Sequence, residues 1–586
     1  MKNTIYKNIT ALQFGLLAAA TTMGYYHTLD VPFYLDDFHT ILERALIYKN
    51  GSLAEIWGYS PARFIAFYSF YLNYQIGALN LAAYHLVNIA IHLGGGFAAF
   101  LLTRLLLNTP AIAGAGGSVE RLTWQSAWLP FAVAMIFLLH PLQTQAVTYI
   151  VQRMSSLVAF FYLACLACYL KGRLTGNGWP WFLGAVLLAL AAFLTKQNSF
   201  TLPFAIVLVE LLLFNAASAK PSTLLGMAAG AVGASIVALQ FLWLATGHGG
   251  LISPSAIASL TTENDVLSRM DYFASQQEVL WRYIGLFFWP VDQRLDYAIA
   301  LRTSLWLYPT VVLFLGHLLV LYVAFLIRKR FPLVSFGLFF YYLAHAVESS
   351  VLPIRDLMFE HRAYLPNYGL ALVVGSVLVF GAQLLYQRSR WLPIFLAVAI
   401  ISAMGTTTWL RNNLWRDNVA FLNDNARLSP LHYRPLSQLG LAYLTRKQFA
   451  QGIETLKQSI RVFNAAIGNT GDLELPPEVF GNLLLAKALN GETKDVLSLT
   501  QQVIEQNNPG NKDLARLRLA RGVAFVQLRD FVNAERELRT SLDLNPDEVA
   551  AKPFLAQAAR ALGKHQEAVS LDAEYTQVVP FVTVKR

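Results

Sequence analysis

AAYHLVNIAIHLGGGFAAFLLTRL, residues 82–105, decides the fold class. It is an apolar run close to the ~20 residues a helix needs to cross hydrocarbon. Its imidazoles and amide are ordered: His85, Asn88 and His92 stand at i, i+3 and i+7, one face of a helix. Such a polar stripe on a spanning helix packs against other helices. Metal binding is the alternative reading, and no carboxylate shares the face.

Similar runs lie on both sides, at roughly 10–29, 125–140, 155–170, 179–195, 200–218, 222–246, 304–327, 331–347, 364–386 and 391–410. Together they make about eleven spans by hydropathy. Of the 586 residues, 55% are hydrophobic and 14% charged, where a soluble domain carries roughly 25% charged residues. Mean hydropathy is +0.44. Most of the chain therefore belongs in lipid. The net charge of +10 reads as the lysine and arginine of cytoplasmic turns, which set orientation, and not as a nucleic-acid surface. Cys165 and Cys168 lie inside an apolar run and read as packing, because a zinc site needs four ligands. Met1 to Asn8 is short and basic, and the apolar stretch after it shows no convincing A-x-A cleavage site, so the first run is expected to be a retained span.

With Lys2 and Lys7 in the cytoplasm, the basic turns share that side: Arg104 and Arg121, Lys171 and Arg173, Lys220, Arg328-Lys329-Arg330, and Arg388 and Arg390. The opposite, outer side receives the loop 30–80, His140-Pro141, Lys196-Gln197, the loop 247–300 and the stretch from Glu348 to Pro366. QQEVLWRYIGLFFWP, residues 276–290, is short for a span and reads as a helix in the outer interface, anchored by Trp281 and Trp289.

From about residue 412 charges return, and the pattern repeats about every 34 residues, the tetratricopeptide period. Gly440 with Tyr443 marks one copy. Gly522, Ala534 and Pro546 recur as Ala556, Ala568 and Pro580. Small residues let paired helices approach, and proline ends the second helix. The expectation is an all-α protein: a polytopic membrane bundle over 1–411, then about four helix pairs over 412–586 forming an extracytoplasmic solenoid.

The outer stretches carry the chemistry. Asp36-Asp37 follows the first run; paired carboxylates at a membrane exit either cap a helix or serve a site. His140 and Gln145 open another outer turn, with Arg153 behind it. Lys196 ends a run, as a snorkelling side chain or a cation at a site. Asp296 lies in Leu-Asp-Tyr, and Glu348 precedes Glu360-His361-Arg362 and Tyr364. Arginine and lysine in that company suit phosphate, and a salt-bridge network is the alternative.

These motifs resemble the polytopic glycosyltransferases of the GT-C fold, in particular the transmembrane-and-TPR protein O-mannosyltransferases and their bacterial relatives. The likeness rests on Leu35-Asp36-Asp37, Tyr84-His85-Leu-Val-Asn88 with His92, His140-Pro with Gln145-Ala-Val and Arg153, Thr195-Lys196, Leu295-Asp296-Tyr297, and Glu360-His361-Arg362 with Tyr364-Leu-Pro366. The wording QTQAVTYIVQR and FEHRAYLP is similar to the bacterial members. The resemblance implies a multi-pass protein of a bacterial inner membrane, with site and repeats on the periplasmic face. It implies an inverting transfer from a polyprenyl-phosphate-linked sugar to an exported acceptor protein such as a pilin. Asp36 or Asp37 would be the base, and Lys196, Arg362, His361 and Arg153 would hold the leaving phosphate. His85, His140, Gln145, Asp296, Glu348, Glu360 and Tyr364 are further site candidates. Two carboxylates of the family are amides here, Gln145 and Gln197, so a divalent cation stays open and the resemblance fixes no cofactor. A lipid or polysaccharide acceptor, or a non-enzymatic membrane scaffold built on the repeats, would be the other readings.

Overall fold

The computed structural model describes residues 2–42, 51–113, 119–214, 220–253, 267–354, 356–467, 477–507 and 509–578. Pro580 of the repeat register lies outside them. The described residues form helices and no strands. The chain divides into two compact units. One comprises Met1–Tyr34, Leu46–Leu295 and Ile299–Arg416; the other comprises Leu35–Ala45, Asp296–Ala298 and Asp417–Arg586.

The first unit is a multi-pass membrane bundle. Among the described residues, seven helices are long and apolar enough to cross a membrane, or eight with the pair Ala127–Leu139 and Pro141–Thr148, which bends by 56°. The runs at 179–195 and 331–347 form shorter helices, Trp179–Phe193 and Pro332–His345. The run at 10–29 lies mostly within the helix Lys2–Tyr25, which is not among the seven. Seven or eight of the expected eleven spans thus meet this test of length and apolarity among the described residues.

Glycines let these helices approach. A Cβ on Gly96 would sit 2.5 Å from Leu138, so the helix Leu81–Leu106 can lie against Val119–Leu139 only with hydrogen at this position. A Cβ on Gly337 would meet Gly369 O at 2.6 Å, where Pro332–His345 crosses Asn367–Tyr386. The helix Trp391–Trp415 runs through the expected 411/412 boundary because its last turn is tied into this unit. Asn412 donates to Gly24 O at 2.9 Å and accepts from Thr148 at 2.6 Å, and Trp415 O accepts from Tyr34 at 2.5 Å.

The stretch expected in the outer interface belongs to a 20-residue helix, Arg269–Phe288. Its buried face is polar. Tyr272, Gln276 and Tyr283 donate to the carbonyl oxygens of Glu348, Leu357 and Phe359 at 2.6, 2.9 and 2.8 Å. These bonds satisfy the irregular backbone of 348–359, which would otherwise be costly to bury. Trp281 is a packing residue, donating to Leu313 O at 3.0 Å and stacked on His317. Trp289 is exposed, as an anchor would be.

The second unit holds four helix pairs after Asn418–Leu428: Tyr433–Thr445 with Phe449–Ile467, Pro477–Leu489 with Thr493–Asn507, Asn511–Gln527 with Phe531–Leu544, and Ala551–Ala561 with His565–Val578. The small residues of the register are the points of closest approach. A Cβ on Gly440 would lie 2.6 Å from Leu456, and one on Gly522 2.5 Å from Leu538. Ala534, Ala556 and Ala568 are fully buried. Each pair cannot bury its apolar face alone, so neighbours stack.

Candidate functional site

Lys196 follows the helix Trp179–Phe193, and its backbone is extended, which turns the side chain back into the first unit. Its ammonium meets Glu348 at 2.7 Å and donates to Ser155 at 3.0 Å. Burial pushes the Lys196 pKa down, and the Glu348 carboxylate opposes that shift; Arg362 and Arg63 add to the lowering. Two further cations therefore act on the buried Lys196–Glu348 pair. Positive charge gathered at a largely buried pair is what a site for an anion needs.

Arg362 sits in a short helical turn, Glu360–Ala363, and is buried. Its Nη1 donates to Asp356 O at 2.8 Å, and its guanidinium lies 5.5 Å from the Phe359 ring. That leaves most of a planar five-donor group without a bond to the described residues. His361 is placed by Gln145, whose Oε1 accepts from the His361 backbone at 2.7 Å and lies 3.1 Å from Nδ1. Gln145 Nε2 donates to Leu295 O, which fixes the amide's orientation. An amide oxygen only accepts, so Nδ1 carries the proton. Burial, with Lys196 and Arg362 nearby, holds His361 well below the ordinary histidine range. The downward shift disfavours a charged ring, and the Nδ1–H is already used on Gln145.

Several expected site residues are structural. Arg153 is fully buried and lies over Phe70, 4.6 Å from the ring. Its Nε donates to Asn88 at 2.6 Å, Nη1 to Ser69 O and Oγ at 3.2 Å, and Nη2 to Tyr84 O at 3.0 Å. Every guanidinium nitrogen is engaged inside the fold. His85 bonds Val31 O at 2.9 Å. His140 bonds Phe287 O at 2.7 Å and accepts from Leu142 N. Tyr364 bonds His92 at 2.7 Å. Glu360 accepts from Arg294 N at 2.6 Å and Gln293 at 2.9 Å, holding the 293–294 turn. The stripe of His85, Asn88 and His92 is interhelical packing, as one reading of the sequence had it.

Asp296 falls in the second unit, where Arg434 contacts both carboxylate oxygens at 3.1 and 3.2 Å. Asp36 and Asp37 also group with that unit. They open a short helical turn after Leu35, whose φ of +35° is strained for a branched side chain. Asp37 is buried and Asp36 exposed, as neighbours about 100° apart on a helical turn must be. Among the described residues no three His, Cys, Asp or Glu side chains group as a metal site.

Sequence reasoning missed Ser155, His345, Gln276 and Ser349. His345 stands four residues before Ser349, a helical spacing that could have drawn attention to it.

No family model matches the chain. It is similar to the protein O-mannosyl-transferase TMTC2 of Homo sapiens, at 30% identity over 173 residues, 29% of this chain and 17% of that protein. The Mus musculus TMTC2 is 32% identical over the same shares. The Drosophila melanogaster protein O-mannosyl-transferase Tmtc1 is 28% identical over 30% of this chain and 20% of its own length. The chain thus spans a fifth or less of these relatives. The resemblance drawn from the motifs is to proteins of the same name. A solved structure, the MamA RS-1 ArsTM double mutant, aligns with 28% of the chain at a TM-score of 0.19, too low to carry an argument.

Proposed function

We propose that this protein is an inverting membrane glycosyltransferase that moves a sugar from a polyprenyl-phosphate-linked donor to a hydroxyl of an exported protein. The observation that carries the reading is the buried Lys196–Glu348 pair beside Arg362 and Arg63. The names of the relatives support mannose as the first sugar to test.

In this reading the acceptor oxygen attacks the anomeric carbon as the bond to the phosphate oxygen breaks. The hydroxyl proton passes to Asp36 or Asp37, the role the resemblance gives them. The leaving phosphate takes the released electron pair, and Lys196 and Arg362 stabilise its charge. Arg362 offers a planar fork and Lys196 a point charge, a pairing suited to phosphate. The positive-inside pattern supports a site on the periplasmic face of a bacterial inner membrane. The helical repeats dock an extended acceptor segment.

The test is the mass of glycans on exported proteins from cells with and without the gene. Loss of a hexose-bearing species on deletion, restored by the wild type, is expected. Restoration should fail with one of Asp36→Asn or Asp37→Asn, since a general base is worth roughly 100-fold or more. Identical glycan masses with and without the gene would overturn the reading.

A further inference from the structure

Buried polar atoms in folded proteins nearly always find partners. In the first unit a run of exceptions gathers around one turn. His345 ends the helix Pro332–His345, and the bond from Ser349 N to His345 O, 2.8 Å, carries one more helical turn through 349. His345 Nδ1 and Nε2, Glu348 Oε2 and Ser349 Oγ all lack a hydrogen-bond partner among the described residues. Their residues are 1%, 5% and 7% exposed. Gln276 Oε1 and Asn198 Oδ1 are buried and unpartnered as well. Gln276 belongs to the helix face that braces 348–359, and Asn198 follows Lys196 by two residues.

The His345 ring is not loose. It stacks on Tyr283 at 5.0 Å and meets Tyr341 edge-on at 4.9 Å. Glu348 is equally fixed: Oε1 holds Lys196, and its backbone oxygen accepts from Tyr272. Rigid side chains with unspent hydrogen-bonding capacity are the mark of a preorganised binding site and a poor solution for a core.

We propose that His345, Glu348 and Ser349 recognise the sugar ring of the lipid-linked donor, with Gln276 and Asn198 completing the hydrogen bonding. This rests on the glycosyltransferase reading above. The chemistry is that of polyol recognition. A carboxylate oxygen and two amide oxygens accept, a hydroxyl donates and accepts, and an imidazole does one at each nitrogen. Vicinal hydroxyls, each a donor and an acceptor, match that set. The position follows from covalent connectivity, because a sugar and its phosphate are joined through one oxygen. Glu348 spans the same junction, with one oxygen on the phosphate cation Lys196 and the other directed to the sugar. These residues then set which sugar is accepted, because a site built to bond hydroxyls rejects ligands that leave its groups unpaired.

The experiment measures binding of two probes to full-length protein in nanodiscs: polyprenyl-phosphate mannose and bare polyprenyl phosphate. The wild type should prefer the mannosyl lipid. Ser349→Ala and His345→Phe should reduce that preference about tenfold each, the worth of a lost hydrogen bond, while bare polyprenyl phosphate binds as before. His345→Phe keeps the stack on Tyr283. Neither change removes a bond in the unliganded protein, so thermal midpoints without ligand should stay level or rise, whereas a structural role would lower them. Glu348→Gln is the second arm: it should lose sugar preference and, by releasing Lys196, bind bare polyprenyl phosphate more tightly. A wild type that prefers the mannosyl lipid, with Ser349→Ala, His345→Phe and Glu348→Gln all preferring it as strongly, overturns this proposal and leaves the functional reading standing. A wild type that binds neither lipid overturns both.

Discussion

The interior of the first unit and that of the helical repeats are built on different contacts. In the membrane bundle, buried polar side chains reach carbonyls far away in sequence: His140 to Phe287, Asn412 to Gly24, His92 to Leu138, Arg153 to Ser69 and Tyr84. In the repeats, the closest contacts are local and apolar, Gly522 against Leu538 and Gly440 against Leu456. Buried charge there is also shared between neighbouring helices, as where Glu537 takes Arg518 at 2.8 Å. The difference teaches how to recognise a site in the first unit. Burial of charge is ordinary in it, and satisfaction is the rule. Arg153 has bonds on all three nitrogens, and a buried arginine of that kind is architecture. Arg362 makes one hydrogen bond to the described residues, and the 345–349 turn gathers unpartnered buried atoms from three residues close together in sequence, which draws attention to this part of the unit.

The comparison breaks most visibly at Arg153. Arg153→Met keeps much of the volume and strands Asn88 Oδ1 and the carbonyls of Ser69 and Tyr84. Each stranded group costs about 1–3 kcal/mol, so a total near 3 kcal/mol or more is expected. Thermal unfolding of the purified protein should show a much lower midpoint; an unchanged midpoint would mean that its bonds carry no stability.

A smaller effect tests the repeats. Gly522→Ala drives a Cβ into Leu538, and overpacking costs about 1–3 kcal/mol. Hydrogen exchange should quicken in Asn511–Gln527 and Phe531–Leu544 and stay unchanged in the first unit. Faster exchange across both units would contradict the local character of repeat contacts.

The smallest effect concerns pH. His361 is held neutral in the fold, its pKa below the usual histidine value of ~6.5. The unfolded chain therefore binds the extra proton first, and stability falls as pH drops through the unfolded value. Between pH 7 and 6 the loss should be under about 1 kcal/mol. His361→Asn should flatten that part of the profile, measured as the thermal midpoint at each pH. A slope that steepens would reverse the assignment.

How far the sequence could be read follows from the same contrast. The repeats were legible because their contacts recur at a fixed spacing, so Gly522 and Ala556 announce themselves. The apolar runs were legible because hydrocarbon demands length. The engagement of Arg153 was not legible because two of its four acceptors are backbone carbonyls, which leave no trace in residue type. The stretch 276–290 was placed in the interface because it is short for a span and carries Trp281 and Trp289, whereas Gln276 and Tyr283 bond the carbonyls of Leu357 and Phe359, which residue type does not reveal. Lys196 and Glu348 could each be named, but their pairing across 152 positions could not. His345 carried only its four-residue spacing to Ser349; its significance lies in the partners it lacks.

The central claim is that the Lys196 cluster receives the phosphate of a lipid-linked sugar. The direct measurement is the affinity of purified protein for polyprenyl phosphate, comparing the wild type with Lys196→Met and Arg362→Met at matched thermal stability. Each substitution should weaken binding by roughly 10-fold or more, since charge-assisted bonds contribute about 1.5–3 kcal/mol, and transfer of mannose from the mannosyl lipid should fall further. If both variants bind polyprenyl phosphate as tightly as the wild type, the cluster is a salt-bridge network and the account is wrong.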